Sequence, residues 1–448
     1  MIFFFLVPTA FSSTVSNVFR IEWELKLQNS YLNEARDVIV YVLIFDNRLG
    51  WVNQQVLQED IQADEILRTD ENRAAIFKFP LIRRGESRVL RFHQLVRVDR
   101  TEFDLSKSTS DWIPSELLPL TKPVNHLWEN HPLLVAKVAE LSENAATPRE
   151  KLERIFEFVK NHLTYEPQRE EHGALWAYQN RIGDCTEFTN LLIALCRLSG
   201  IPAKFVSSIG YSQEKRGDFY AMGHAFAIVY LPDLGWVPVD ATWSSPVGEL
   251  GKSSEEKLVL LTSDGSNLVK DSQISIPKDH ISYSYHGENP NLRLTSQATI
   301  YKEMGLEVKM DASSVLSEGN VWEWYVKLTN EGRVDLRNLR VKLVTDNQFL
   351  EAPEEIVLDN LPGGWNRTLF FKVKVKQSVE NLPVKAFVEY ESPYGTFLST
   401  AESSATVFLP EPPLAPVFRL LQNRLLLVLV MILLGMLVTL AVLLARRF

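Results

Sequence analysis

The spacing of apolar and polar residues divides the chain into stretches of different period. From about Asn17 to Asp111 the runs Phe19 to Leu27, Val38 to Phe45, Ala74 to Phe79 and Val89 to Val98 are strand-like, which predicts a β-sandwich. Pro114, Pro119 and Pro123 then mark a linker. Beyond it the period lengthens, and Pro132 to Ser142 and Pro148 to Leu163 read as two helices. Thr147-Pro148-Arg149-Glu150 supplies an N-cap, an N1 proline and a capping-box glutamate, with Leu152, Ile155, Phe156 and Val159 on one face. A further helix is predicted over Thr186 to Ser199, where Phe188, Leu191, Leu192, Leu195, Cys196 and Leu198 fall at helical intervals until Gly200-Ile201-Pro202 stops it. Strands return with Ala225 to Tyr230, a turn over Leu231 to Gly235, and Trp236 to Asp240.

The pattern is again β from about Leu294 to Leu409. Its runs are Glu303 to Met310, Val321 to Leu328, Leu339 to Val344, Leu369 to Val375 and Val384 to Tyr390, with turns at Asn330-Glu331-Gly332 and Pro362-Gly363-Gly364. Leu328-Thr329-Asn330 echoes Leu27-Gln28-Asn29, which suggests two similar sandwiches. The segment Leu409 to Pro416 is proline-rich and reads as a stiff spacer. Leu425 to Ala445 holds no charged residue over 21 positions, enough to span a hydrocarbon core of ~30 Å as a helix.

The chemistry concentrates in the middle. Cys185 opens the helix in Gly183-Asp184-Cys185-Thr186-Glu187-Phe188, where backbone N–H groups have no intrahelical partner and the macrodipole favours a thiolate. His224 begins one strand and Asp240 ends the next. If the connecting loop has an odd number of residues, the two side chains share a sheet face. A thiol, an imidazole and a carboxylate in that order point to acyl transfer: Cys185 as nucleophile, His224 as base, Asp240 orienting the ring, and the Cys185 N–H as one oxyanion donor. The second donor is not legible in the sequence. Cys185 and Cys196, on one helix and about 16 Å apart by its ~1.5 Å rise per residue, cannot form a disulfide. Cys196 falls in a Leu-rich run and reads as core. His280 and His286 would share a strand face, but no third ligand accompanies them, so no metal is expected.

The run Gly183 to Phe188, the helix after it, Ser199 to Val206, Gly223-His224-Ala225-Phe226 and Trp236 to Thr242 together resemble the transglutaminase-like superfamily over roughly Pro132 to Pro246. The resemblance implies a papain/transglutaminase-like core with Cys185, His224 and Asp240 as its catalytic residues, and thiol-mediated chemistry that needs no cofactor. Two features depart from the family's pattern. Phe226 stands where many members carry tryptophan, and Ser207 to Met222 is long and charged. The superfamily includes crosslinking enzymes, peptidases and inactive members, so the reaction is less defined than the site.

Composition bounds the rest. A net charge of −9 argues against nucleic-acid binding. Met1 to Phe11 is apolar and resembles a signal h-region, without a basic n-region. Arg446 and Arg447 on one flank of the apolar helix nearly balance Arg419 and Arg424 on the other, which leaves a cytosolic body as the rival to an outward-facing one. The sequon Asn366-Arg367-Thr368 is compatible with the outward orientation.

The expected fold class is α+β. The expected organisation is a signal-like segment over 1–16, a β-sandwich over 17–112, a transglutaminase-like domain over 113–293 with its core at 132–246, an immunoglobulin-like β domain over 294–409, a spacer over 410–424 and a membrane helix over 425–445. The expected partners are the membrane and a protein or peptide substrate at the cell envelope. The alternative is a catalytically silent scaffold that binds envelope partners through its β domains.

Overall fold

The computed structural model describes residues 15–30, 33–69, 71–212, 214, 222–243, 248–265, 281–286, 292–318, 320–346, 348–351, 355–407 and 424–445. The signal-like residues 1–14, the loop 215–221, His280 and the spacer 408–423 lie outside them.

The first strands are β1 (Ser16–Asn29), β2 (Ala35–Leu43), β3 (Asn53–Asp60), β4 (Glu65–Arg68), β5 (Arg73–Ile82) and β6 (Ser87–Asp99). In β1, Phe19, Ile21, Trp23, Leu25 and Leu27 point inward while Glu24 and Lys26 are exposed, the period of two that one buried sheet face requires. Trp23 stacks on Phe92 with ring centroids 5.0 Å apart, within a core that also holds Val40, Phe45 and Phe77.

Two later strands finish this sandwich. Strand β16 (Ile281–His286) pairs with β2, and β17 (Leu292–Met304) pairs with β1 along nearly its whole length. Residues 281–304, which the hydropathy pattern divided between the central and C-terminal domains at 293/294, therefore belong to the first sandwich. Local periodicity reads a strand but not its partner, because pairing joins residues more than 250 positions apart.

The central module begins after β7 (Thr101–Glu102) with helices α1 (Pro132–Ser142) and α2 (Pro148–His162), the latter started by the Thr147–Glu150 capping box. There follow β8 (Thr164–Tyr165), α3 (Ala174–Asn180), β9 (Ile182–Gly183) and α4 (Cys185–Leu198). The remaining strands are β10 (Ala203–Gly210), β11 (Gly223–Leu231), β12 (Gly235–Asp240), β13 (Glu249–Leu250), β14 (Lys252–Ser253) and β15 (Lys257–Ser263). They form an antiparallel sheet in the order β13-β12-β11-β10-β15, with β14 paired separately to β7. Helix α4 lies against this sheet, wrapped by the other three helices, and buries Leu191, Leu192, Leu195 and Cys196.

The outer edge of β15 is closed by carboxamides of the first sandwich. Gln54 donates to the Val259 carbonyl at 2.9 Å and accepts from its N–H at 2.7 Å. Asn72 makes the same pair with Thr262, at 2.9 and 2.8 Å. Each side-chain amide imitates a peptide group of a neighbouring strand, so the buried edge keeps its backbone partners.

The C-terminal sandwich comprises β18 (Leu306–Glu318), β19 (Val321–Asn330), β20 (Leu336–Val344), β21 (Leu350–Glu351), β22 (Ile356–Leu361), β23 (Asn366–Val375), β24 (Val379–Ser392) and β25 (Gly395–Val407). Its sheets run β18-β19-β23-β21 and β22-β20-β24-β25 around Trp324, Phe371 and Tyr390. The echo between Asn29 and Asn330 is a shared corner. Asn29 Nδ2 donates to the carbonyls of Asn33 and Ile82, and Asn330 Nδ2 to those of Val334 and Leu361. The backbones of both asparagines bond to the turn joining two later strands, at Gly85–Glu86 and Gly364–Trp365. The buried Lys302 of the first sandwich reaches Glu256 of the central module at 2.8 Å and Glu331 of the second sandwich at 2.5 Å, tying the three modules at one point.

The C-terminal apolar segment is a helix over Arg424–Ala445. The surroundings of its side chains are described for 428–439, all exposed. That described stretch of 12 residues is shorter than the ~20 a span needs, and among the described residues no helix is long and apolar enough to cross a membrane, so the membrane helix expected over 425–445 is not shown by the structure.

Candidate active site

Cys185 occupies the first position of α4. Asp184 caps the helix by accepting from the Thr186 N–H at 2.9 Å, and the Glu187 carboxylate returns to the Asp184 N–H at 2.9 Å. Glu187 also accepts from the His172 N–H at 2.8 Å, so a buried carboxylate fastens the preceding loop to the helix start. Burial pushes the Glu187 carboxyl up against the pull of these N–H donors. Gly183 must lack a side chain here, because a Cβ would run into Glu187. A capping box begins α4 as it begins α2.

His224 and Asp240 meet through the hairpin register. Leu231 pairs with Gly235 across a three-residue loop, so Asp240 falls opposite Phe226, two residues from His224 on the same face. The odd loop length is the condition the sequence pattern required. His224 Nε2 lies 2.7 Å from Asp240 Oδ2, and the imidazole also interacts with the Cys185 side chain. The His224 side chain is 11% exposed and that of Asp240 is 1% exposed, while Cys185 is half-buried and unbridged.

Asp240 accepts five hydrogen bonds. Oδ1 takes the Thr242 N–H and hydroxyl at 3.1 Å each and the Trp243 N–H at 3.0 Å; Oδ2 takes His224 and the Lys257 ammonium, the latter at 3.0 Å. Burial alone would raise the Asp240 carboxyl, but the charges of Lys257 and His224 and their hydrogen bonds hold it far below the ordinary carboxylate range. Burial would likewise lower the His224 imidazolium. The Asp240 charge and hydrogen bond, with those of Cys185, outweigh it and raise His224 to about 9. The arrangement holds a protonated imidazole between a carboxylate and a sulfur.

Aromatic rings frame this group. Trp243 lies 5.1 Å from the His224 ring and Phe226 lies 6.4 Å from it. Tyr165 pairs in register with Gly183 across β8 and β9, half-exposed beside the thiol. Burial and the negative charges of Cys185, Asp184, Asp240 and Glu187 push its phenol up to about 12, so it remains a proton donor at neutral pH. Cys196 is fully buried, and burial pushes its thiol up. His286 is exposed beside Asp37, and no cluster suited to a metal occurs among the described residues.

Sequence reasoning did not single out Lys257, Glu249 or Trp243. The available signal was Lys257 itself, at the head of the apolar run Leu258-Val259-Leu260-Leu261 in a buried strand.

A thiol-first helix packed on an antiparallel sheet that carries histidine and aspartate on adjacent strands defines a papain-like class. Residues 135–241 match the model of the transglutaminase-like superfamily, so the chain contains a transglutaminase-like domain. A stretch of 98 residues is 26% identical to the uncharacterized protein YebA of Bacillus subtilis (strain 168), spanning 19% of this chain and 13% of that protein's length. Among solved structures, a candidate cysteine protease from Cytophaga hutchinsonii aligns with 15% identity and a TM-score of 0.44, covering 63% of this chain and 91% of the other. Red sea bream transglutaminase aligns with 10% identity and a TM-score of 0.24, covering 85% of this chain and 78% of the other.

Proposed function

We propose that the protein is a thiol acyl-transfer enzyme in which Cys185 is the nucleophile, His224 the acid–base and Asp240 the group that orients and charges the imidazole. The observation that carries this reading is the continuous contact from Cys185 through His224 to the buried Asp240. The Cys185 thiolate attacks a carboxamide or peptide carbonyl, His224 protonates the departing nitrogen, and a thioester remains on sulfur. Imidazole, now neutral, takes a proton from water or an amine as it attacks the thioester, which frees the thiol. Water gives hydrolysis or deamidation, and an amine gives a crosslink. The Cys185 N–H at the start of α4 supplies a donor to the tetrahedral oxyanion.

The site of action in this proposal is the cell envelope. The apolar helix Arg424–Ala445 inserts in the bilayer, and the substrate is a protein or peptide. No cofactor takes part.

The test is mass-spectrometric labelling of the full-length protein in detergent with an electrophilic glutamine-peptide analogue. An adduct on Cys185 that is absent in Cys185→Ala and weakened in His224→Ala supports the enzyme. A folded native chain that takes no adduct from this probe or from iodoacetamide overturns it and favours a silent scaffold.

A further inference from the structure

The buried lysine behind the triad has no part in the chemistry just described. Lys257 Nζ is fully enclosed, contacts the Asp240 oxygen that also holds His224, and ion-pairs on its other side with Glu249. Its ammonium sits 5.0 Å from the centroids of both the Phe226 and Trp243 rings. An apolar side chain could fill that space without the cost of desolvating a charge. Space-filling therefore does not account for the ammonium.

Resting on the acyl-transfer reading, we infer that Lys257 and Glu249 are positioning residues that set the pH window of the Cys185–His224 couple through Asp240. Charges alternate behind the Cys185 sulfur: imidazolium, carboxylate, ammonium, carboxylate. Lys257 fixes the Asp240 carboxylate in position and offsets part of the charge that His224 feels, which keeps the imidazolium acidic enough to give up its proton to a leaving group. Glu249 moderates Lys257 so that the offset is partial. Other groups face the couple from the packed elements: Asp184 and Glu187 around the start of α4 and Tyr165 from β8. Arg100 lies beyond Glu249 and bonds to Glu255. These stay in place in the variants below.

The experiment follows the His224 ring by NMR titration in the full-length protein, assigned with His224→Gln, alongside the pH profile of Cys185 alkylation. Lys257→Met is expected to raise the His224 midpoint by about two pH units, the size expected for losing a unit charge ~5 Å away at an effective protein dielectric of ~20. Glu249→Gln, which removes a charge farther along the line, is expected to lower it by a smaller amount, and the double variant to stay above the native value by the difference. A purely structural role does not give shifts of opposite sign. Midpoints that stay put, or move in the same direction, overturn the inference. Should Lys257→Met not fold, Glu249→Gln decides alone: a lowered midpoint supports the inference and an unchanged one overturns it. The alkylation rate of the native chain reads the parent proposal separately. A Cys185 no faster than a free thiol, with opposite His224 shifts intact, sinks acyl transfer and keeps the charge line. A fast Cys185 with unmoved midpoints sinks the charge line alone.

Discussion

Replacing Asp240 with asparagine keeps the side chain's size and removes the charge at the centre of the site. The structure gives an asparagine no good orientation. If its oxygen keeps the Thr242 and Trp243 donors, its NH2 turns toward the Lys257 ammonium and the His224 Nε2–H, so donor faces donor. If it flips, three donors from the turn lose their acceptor. Without the carboxylate, His224 returns from about 9 toward or below its ordinary 6.5, a gap worth roughly 3 kcal/mol at ~1.36 kcal/mol per pH unit. At pH 7.5 the imidazolium fraction then falls from nearly complete to about one tenth or less. Alkylation of Cys185, read as a second-order rate constant, is expected to drop at least ~10-fold, and turnover by ~100- to 10,000-fold because ring orientation is lost as well. Stability should fall by about 3 kcal/mol, since one partner of a buried ion pair is removed while Glu249 still holds Lys257. The assays are pH-resolved alkylation, histidine NMR and denaturant unfolding. An Asp240→Asn protein of native circular dichroism whose His224 midpoint and alkylation rate match the parent would refute the proposed coupling.

The remaining expectations are more local. A Cβ at position 210 collides with the Trp243 ring, so Gly210→Ala should push that ring against His224, lowering activity at least ~10-fold and melting temperature by only a few degrees, checked by kinetics and thermal unfolding. Asp184→Ala removes the cap of α4 and should cost about 1 kcal/mol of stability, measured by urea unfolding, along with slower Cys185 labelling. Iodoacetamide should mark Cys185 and spare Cys196 in folded protein, with both marked in urea, as peptide mapping will report. His224, raised from 6.5 to about 9, adds stability that is complete below about pH 6.5 and lost as pH rises through about 9. The same ion pair fails from the other side only as pH falls well below 3.8, through the depressed Asp240, so the unfolding free-energy gap between the parent and His224→Gln should be largest near pH 5–6.5 and shrink by pH 9.5.

The candidate site was more legible than the architecture around it, and the reason is physical. Cys185 announces itself because a helix start is a local event, written in Gly183, Asp184 and Glu187 within a few residues. His224 and Asp240 follow from a hairpin, whose register depends only on the length of its own loop. Strands β16 and β17 were visible as strands but were assigned to the wrong neighbours, because their partners β2 and β1 lie at the other end of the chain. Lys257 was missed for the same reason. A lysine at the head of an apolar strand is usually an exposed edge residue, and only the fold shows that its ammonium is buried between Asp240 and Glu249.

That long-range closure gives the first sandwich a part in the proposed chemistry. Strand β15 carries Lys257 and lies at the edge of the central sheet, where unpaired peptide groups would leave it loose. Gln54 and Asn72 supply the missing ladder, and Arg48 adds a bond to the Thr262 hydroxyl at 3.1 Å, all from the first sandwich. A displacement of β15 by even ~1 Å would lengthen the Lys257–Asp240 contact beyond an ordinary hydrogen bond. The fixed position of Asp240's second charged partner thus depends on carboxamides some 200 residues away in sequence. Gln54→Ala should therefore move the His224 titration although it touches neither His224 nor Asp240, whereas a sandwich serving only as a spacer or docking module would leave it unchanged.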